Sequence, residues 1–212
     1  LWSSAFVTTK PIVNNSDPFS ALAFRFLFVA IGFFLFSLYE KKKIIIKKNF
    51  LFNSLGTGVL FHGFYLGGVF YSVFVGLPVN VAALIVTLQP VLTNALAGKF
   101  LNEKVQLQQW LGVMLGFVGA ILVIGLDIGE DLPMDGIVAV IISLIAITAS
   151  TIWQKKVSDD VPLSVNNMYQ AIGAVIFHLL IIFLFFNEPF LCFAQVWELG
   201  TTRRVVWRIV KP

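Results

Sequence analysis

A short polar group interrupts an otherwise apolar stretch of the chain, VTLQPVLTNALAGKFLNEK at residues 86–104. It comprises Gln89, Pro90, Thr93 and Asn94. Because Pro90 has no backbone N–H and its ring crowds the carbonyl of Val86, a helix must kink here. In a membrane, the freed carbonyl and the polar side chains need protein partners or a cavity. We therefore predict that these residues line a path for a solute. The alternative is that they bond neighbouring helices and repair the kink.

Three other side chains are candidates for the same path. His62 and Tyr65 lie three residues apart in the middle of an apolar run, where a histidine can relay protons or bond a solute. The alternative for His62 is a packed side chain with satisfied hydrogen bonds. Arg25 lies within the first turns of another run, where it either faces the path or extends to the membrane interface.

Two tryptophans and a second histidine also lie within the apolar segments. Trp2 and Trp153 are path candidates, and anchoring at the membrane interface is the favoured alternative. His178 stands among aliphatic residues, and packing is the favoured interpretation there.

The composition places these side chains in a membrane protein. Hydrophobic residues make up 58% of the 212 residues and charged residues 12%, against about 25% charged residues in soluble domains. The chain contains several runs of about 20 residues with almost no charge, the length that crosses a hydrocarbon core. We predict an all-α, polytopic membrane protein.

Seven apolar segments are predicted to be helices. They occupy residues 1–10, 19–39, 50–75, 79–98, 107–126, 136–154 and 165–186. The loops on one side of the membrane carry nine lysines, and those on the other side carry one. Because lysine and arginine accumulate in cytoplasmic loops, the lysine-rich side is predicted to be cytoplasmic. Residues 191–212 form a basic tail on the opposite side, which we interpret as an interfacial segment or, preferably, as a sequence foreign to the fold.

Glycine stripes on two segments predict close helix packing. Gly56, Gly63 and Gly67 share one face of the third predicted helix. The fifth predicted helix has a similar stripe of Gly112, Gly116 and Gly119. Small residues at these spacings let helix backbones approach each other in lipid. Plain packing is the favoured interpretation, and a seam that slides during transport is the alternative.

The stretch TLQPVLTNALAGKFLNEKVQLQQWLGVMLGFVGAILVIG resembles the end of the repeat in EamA-type transporters of the drug/metabolite transporter superfamily. LWSSAFVTTK resembles the first helix of that family, and DPFSALAFRF resembles the start of its second helix. The stretch GIVAVIISLIAITASTIWQKKVSDDVPLS resembles the opening of a second repeat copy. The resemblance covers about residues 1–186.

A weak internal repeat agrees with this resemblance. Each repeat of this family has five helices. Because five is an odd number, the second copy starts on the opposite side of the membrane and must be inverted. The predicted units are a first repeat at 1–126 with an incomplete first helix, and the start of a second, truncated repeat at 134–190. Gln170 then occupies about the place in the second repeat that Arg25 holds in the first, which makes Gln170 a further path candidate.

The resemblance implies a secondary transporter of small metabolites or drugs, a permease or exporter that works by alternating access. Its expected partners are a small-molecule substrate, protons and the lipid bilayer, with no cofactor, metal or nucleic acid, and its expected location is a bacterial inner membrane. The sequence contains no HExxH, GxSxG or phosphate-loop motif that would indicate an enzyme. Two alternatives remain: a truncated fragment or scaffold that transports nothing, and a homodimer of antiparallel single repeats.

Overall fold

A computed structural model describes residues 12–13, 17–42, 47–100, 106–124, 132–157 and 162–185. The first predicted helix with Trp2, and the basic tail at 191–212, lie outside the described residues. In the described part of the chain, all regular secondary structure is helical, which confirms the predicted all-α class.

Seven helices follow one another along the described chain. They are α1 (Pro18–Tyr39), α2 (Lys48–Phe74), α3 (Val79–Val86), α4 (Gln89–Phe100), α5 (Leu107–Ile124), α6 (Met134–Val157) and α7 (Leu163–Phe185). Apart from the split between α3 and α4, their bounds differ from the predicted ones by no more than three residues. The apolar runs and the polar connections between them therefore define the elements.

Local chemistry explains where individual helices begin and end. Asp17 caps α1, because its Oδ2 accepts a hydrogen bond of 2.7 Å from the Ser20 N–H and Pro18 occupies the first helical position. The same helix ends at Tyr39, and Lys41, just after its C-cap, has a positive φ of 54°. The chain after α2 turns at Gly76 with φ 98°. In both cases the N–H of the positive-φ residue and the N–H of the residue after it bond back to the last helical turn, as in a Schellman motif.

Five helices in the described part of the chain are long and apolar enough to cross a membrane. They span Pro18–Tyr39, Lys48–Phe74, Val79–Leu96, Met134–Lys156 and Leu163–Phe185. Large apolar side chains on their outer faces are exposed, for example Phe28 at 63% and Phe183 at 79%. Exposure of such an apolar surface to water would cost free energy, whereas contact with apolar lipid tails does not. The chain is therefore an integral, multi-pass membrane protein.

Helix α2 lies at the centre of the packing, in contact with α1, α6 and α7. One core cluster joins α1, the second half of α2 and α7 through Phe26, Phe70 and Ala174. A second cluster joins α2 to α3 and α6 through Tyr65, Val86 and Ile147. Because burial of apolar surface drives little association between helices in lipid, close packing and polar contacts must hold these interfaces.

Serine hydroxyls supply such polar contacts at the centre of the bundle. The Ser150 hydroxyl of α6 donates to the Thr57 carbonyl of α2 at 3.0 Å. The Ser54 hydroxyl of α2 donates to Asn166 Oδ1 of α7 at 2.7 Å. These bonds tie α2 to both of its main neighbours.

Candidate functional site

The helix predicted at residues 79–98 is interrupted before Pro90. Helix α3 ends at Val86, two turn residues follow, and α4 begins at Gln89. The Thr87 N–H still donates to the carbonyl four residues earlier, that of Ala83, at 3.0 Å. The Leu88 N–H donates instead to the carbonyl three residues earlier, that of Ile85, at 3.1 Å. The missing N–H of Pro90, which leaves the Val86 carbonyl without its helical donor, accounts for this break. Since the apolar span is Val79–Leu96, the break lies near its middle.

The polar residues around this break face α6 in part. The Gln89 side-chain amide donates to the Thr151 hydroxyl at 3.3 Å, and that hydroxyl donates to the Ile147 carbonyl at 2.7 Å. Thr93 Oγ1 is buried and has no hydrogen-bond partner within the described residues. Asn94 is half-buried and Pro90 is exposed. The structure thus brings Gln89 against α6 and leaves one buried hydroxyl with unused hydrogen-bonding capacity.

Helix α2 contains a π-helical turn at Val59–Tyr65, with i to i+5 hydrogen bonding. His62 lies in this turn. Its ring centroid is 4.7 Å from that of Phe26 on α1 and 4.8 Å from that of Phe61. His62 Nδ1 is buried without a hydrogen-bond partner in the part of the chain that is described. Turns of this kind occur often at functional sites, and the sequence alone gave no sign of this one.

His178 on α7 approaches the same Phe26 ring. The two rings are stacked within 9° at a centroid distance of 6.0 Å. His178 is fully buried, its Nδ1 lies 2.7 Å from the Ala174 carbonyl, and its Nε2 has no partner among the described side chains and backbone groups. Sequence reasoning favoured plain packing for His178. The fold places His178 at the same phenylalanine as His62, the other histidine of the chain, and the sequence alone does not show this proximity.

Arg25 and Tyr65 flank this group. Arg25 is exposed, with its guanidinium carbon 5.8 Å from the Phe26 centroid, in the range of a cation–π contact. Tyr65 is buried, and its ring is 5.8 Å from that of Phe61. The structure therefore gathers candidates from α1, α2 and α7 around one phenylalanine, which we call the Phe26 cluster: Arg25, Phe26, His62 and His178.

The two remaining described path candidates pack against the first half of α2, away from the Phe26 cluster. Trp153 of α6 is half-buried and packs its indole ring at Gly56, so that a Cβ at that glycine would lie 2.6 Å from the ring edge. Gln170 of α7 is buried against Gly58, and its Nε2 has no partner in the described ranges. Neither residue belongs to the Phe26 cluster.

The glycines of the predicted stripe on α2 contact three different helices. Gly56 meets α6 at Trp153, Gly63 meets α7 at Phe177, and Gly67 meets both α1 at Phe19 and α7 at His178. On α5, a Cβ at any of its three stripe glycines would have no atom within 4 Å. Their packing role stays a prediction. Sequence reasoning missed Gly58, Gly68 and Gly173, which lie against neighbouring backbone or a serine hydroxyl.

No group of three or more histidine, cysteine, aspartate or glutamate side chains that could hold a metal ion occurs within the described ranges. The site is instead a set of uncharged polar atoms and one arginine, held between apolar helices. Hydrogen bonding, ring stacking and proton exchange are the chemistry that these groups can perform.

An interrupted helix, a π-helical turn and polar groups buried between apolar spans define a polytopic helical membrane protein with polar chemistry inside its bundle. A model of the EamA-like transporter family matches residues 1–125, more than half of the chain, and the chain belongs to this family.

Curated relatives agree with this assignment. The chain is 29% identical over 202 residues to "Uncharacterized transporter YyaM" of Bacillus subtilis, covering 88% of this chain and 62% of the relative. It is 23% identical over 163 residues to "Probable amino-acid metabolite efflux pump" of Salmonella typhimurium, covering 76% and 52%. A third relative, "Uncharacterized transporter YvbV" of Bacillus subtilis, is 24% identical with the same coverage. The chain thus spans between half and two thirds of the length of these relatives. Their names and the family indicate transport, which is not an enzymatic class.

Proposed function

We propose that this chain acts in secondary transport and carries small metabolites across a bacterial inner membrane by alternating access. The observation that carries the proposal is the helix break at Thr87 and Leu88 with Gln89 and Thr93 beside it. Interrupted helices near the middle of a membrane are where carriers bind solutes, because the freed backbone groups and polar side chains can be shared with a substrate.

The packing of α1 against α7 supports a two-repeat carrier. These are the second helices of the two predicted repeats, and they share a core of Leu22, Phe26, Ala171 and Ala174. An inverted pair of this kind allows one repeat to rock against the other around a central site. The family match to residues 1–125 ends next to the predicted end of the first repeat.

The substrate class that we propose is amino acids and their small polar derivatives. It rests on the printed name of the Salmonella relative and on the character of Gln89, Thr93 and Asn94. Neutral amide and hydroxyl groups suit the amino and carboxylate groups of such solutes. Protons are the proposed coupling ion.

Transport into inverted membrane vesicles tests the proposal. Vesicles from a bacterial host that expresses the full chain are given an equimolar mixture of radiolabelled amino acids. Loss of one neutral hydrogen bond to a solute costs about 0.5–1.5 kcal/mol, so Gln89→Ala and Asn94→Ala should each lower uptake about two- to tenfold at equal abundance.

Gln108→Ala is the matched control, because it makes the same change at an exposed position of α5. It should leave uptake at the wild-type level. Unchanged uptake in Gln89→Ala and Asn94→Ala would remove both residues from the path. Uptake no higher than in vesicles without the protein would reject transport of amino acids by this chain.

A further inference from the structure

Two buried imidazoles from different helices face one phenylalanine ring in the core. His62 belongs to the π turn of α2 and His178 to the middle of α7, and Phe26 of α1 lies 4.7 Å from the first ring and 6.0 Å from the second. They are the two histidines of the whole sequence. Three helices therefore cooperate to place them together.

Each imidazole has a ring nitrogen with unused hydrogen-bonding capacity. His178 Nδ1 lies 2.7 Å from the Ala174 carbonyl, which only accepts hydrogen bonds. The proton of a neutral His178 ring therefore sits on Nδ1, and the lone pair sits on Nε2. That Nε2 and His62 Nδ1 are both buried and lack partners among the described residues. An unpaired buried acceptor is costly, and inside a membrane it is a mark of function.

We propose that His62 and His178 form one proton-binding site between α2 and α7, which takes up a single proton during each transport cycle. The proposal rests on the proposed transport function and deepens it by naming the groups that carry the coupling ion. The π turn presents His62 to Phe26 of α1, and His178 of α7 lies against the same phenylalanine ring.

The charges around the pair limit it to one proton. On α1 the charged group beside Phe26 is Arg25, whose guanidinium carbon lies 5.8 Å from the ring centroid. On α7 the titratable group is His178, which stacks on the same ring. On α2 itself the nearby titratable group is Tyr65. Helix α6 also packs on the π turn, but its charges lie at its two ends, on Asp135, Lys155 and Lys156.

The carboxylates next to α1, Asp17 and Glu40, cap its two ends, and the described helices α1, α2 and α7 that hold the pair contain no carboxylate within their bounds. A first imidazolium is already opposed by the guanidinium of Arg25, and a second would face both of these charges. One proton is thus favoured over two.

Nuclear magnetic resonance tests the site without a substrate. The full chain, purified through a tag that contains no histidine, is labelled with ¹³C and ¹⁵N at histidine and placed in lipid nanodiscs. Because the chain has two histidines, His62→Gln and His178→Gln assign the two ring signals directly. As the pH falls from 8 to 4, the two rings together should gain one proton, and the titration curve of each ring should change when the other is replaced. Two rings that stay neutral, or two that titrate independently, would overturn the proposal.

A transport measurement separates this proposal from the proposed function. Vesicles are given the labelled amino-acid mixture with and without an imposed pH gradient of one unit. One coupled proton raises accumulation at most about tenfold for that gradient. In His62→Gln and His178→Gln the ratio of uptake with and without the gradient should fall to one. A ratio that stays at the wild-type value in both variants would overturn the coupling role. If the wild type moves none of the amino acids, the substrate proposal fails, while the resonance experiment still decides the proton site.

Discussion

Replacement of Gly58 by alanine should open the interface between α2 and α7. A Cβ at Gly58 would lie 2.5 Å from the Cα and 2.7 Å from the carbonyl carbon of Gln170, and closer still to its oxygen. Favourable contacts between such atoms lie at about 3.5–4.0 Å. Since all three opposing atoms are backbone, no side chain can rotate away, and the two helices must separate by about 1 Å. Overpacking of this size costs about 1–3 kcal/mol.

The midpoint of thermal unfolding in detergent, followed by the loss of the folded peak in size-exclusion chromatography, measures this cost. For a chain of this length each kcal/mol shifts the midpoint by about 2–4 °C, so Gly58→Ala should lower it by about 2–12 °C. Gly116→Ala on α5 is the matched control, because a Cβ there would have no atom within 4 Å. It should be neutral or raise the midpoint, since alanine favours helix by up to about 1 kcal/mol over glycine. A lower midpoint in Gly116→Ala with no change in Gly58→Ala would refute this account of the packing.

Three further substitutions test individual contacts by the same unfolding measurement. Burial raises the pKa of Asp17 above its ordinary value of 3.8, so its stabilising contribution is fully present below pH 3.8 and is lost as the pH rises through the raised pKa. Asp17→Asn keeps a good cap and should therefore be more stable than the wild type at pH 8, with a gain that shrinks in acid; a gain that grows in acid would contradict this. Ser150→Ala removes the donor to the Thr57 carbonyl and should cost about 0.6–1.7 kcal/mol, and an unchanged midpoint would show that the bond is dispensable. Trp153→Ala should lower the midpoint because the indole packs at Gly56, whereas a tryptophan that only anchors the interface would leave the midpoint unchanged while the protein is in detergent.

The sequence predicted the helices well because the membrane imposes a simple rule on composition. Each span must be a run of apolar residues of sufficient length, and each connection can be polar. The break before Pro90 was also predictable, since it follows from the missing N–H of a single residue. What these local rules leave open is the direction in which each side chain points once neighbouring helices are in place.

The relation between His62 and His178 was therefore beyond reach of the sequence. The two residues are distant along the chain and carry no shared spacing or motif. His178 stands among aliphatic residues, the pattern of a packed side chain. Only the contact of α1 with both α2 and α7, through Phe26, places the two imidazoles on one ring. The same limit applies to Gly58, whose role depends on the backbone of Gln170 on another helix.

The π turn of α2 explains why glycines in both halves of this helix contact α7. In a regular α-helix each residue advances by about 100°, so Gly58 and Gly67, nine residues apart, would lie on opposite sides. Yet both contact α7, Gly58 at Gln170 and Gly67 at His178. The wider turn at Val59–Tyr65 changes the register between the two halves of the helix, and so lets both halves present a glycine to the same neighbour. In a regular helix Gly56 would lie on the same face as Gly67. Because of the change of register, Gly56 instead contacts α6, at Trp153. The residue that sits within this change of register is His62, so the turn that keeps α2 packed along α7 also sets the direction of the imidazole inside the bundle.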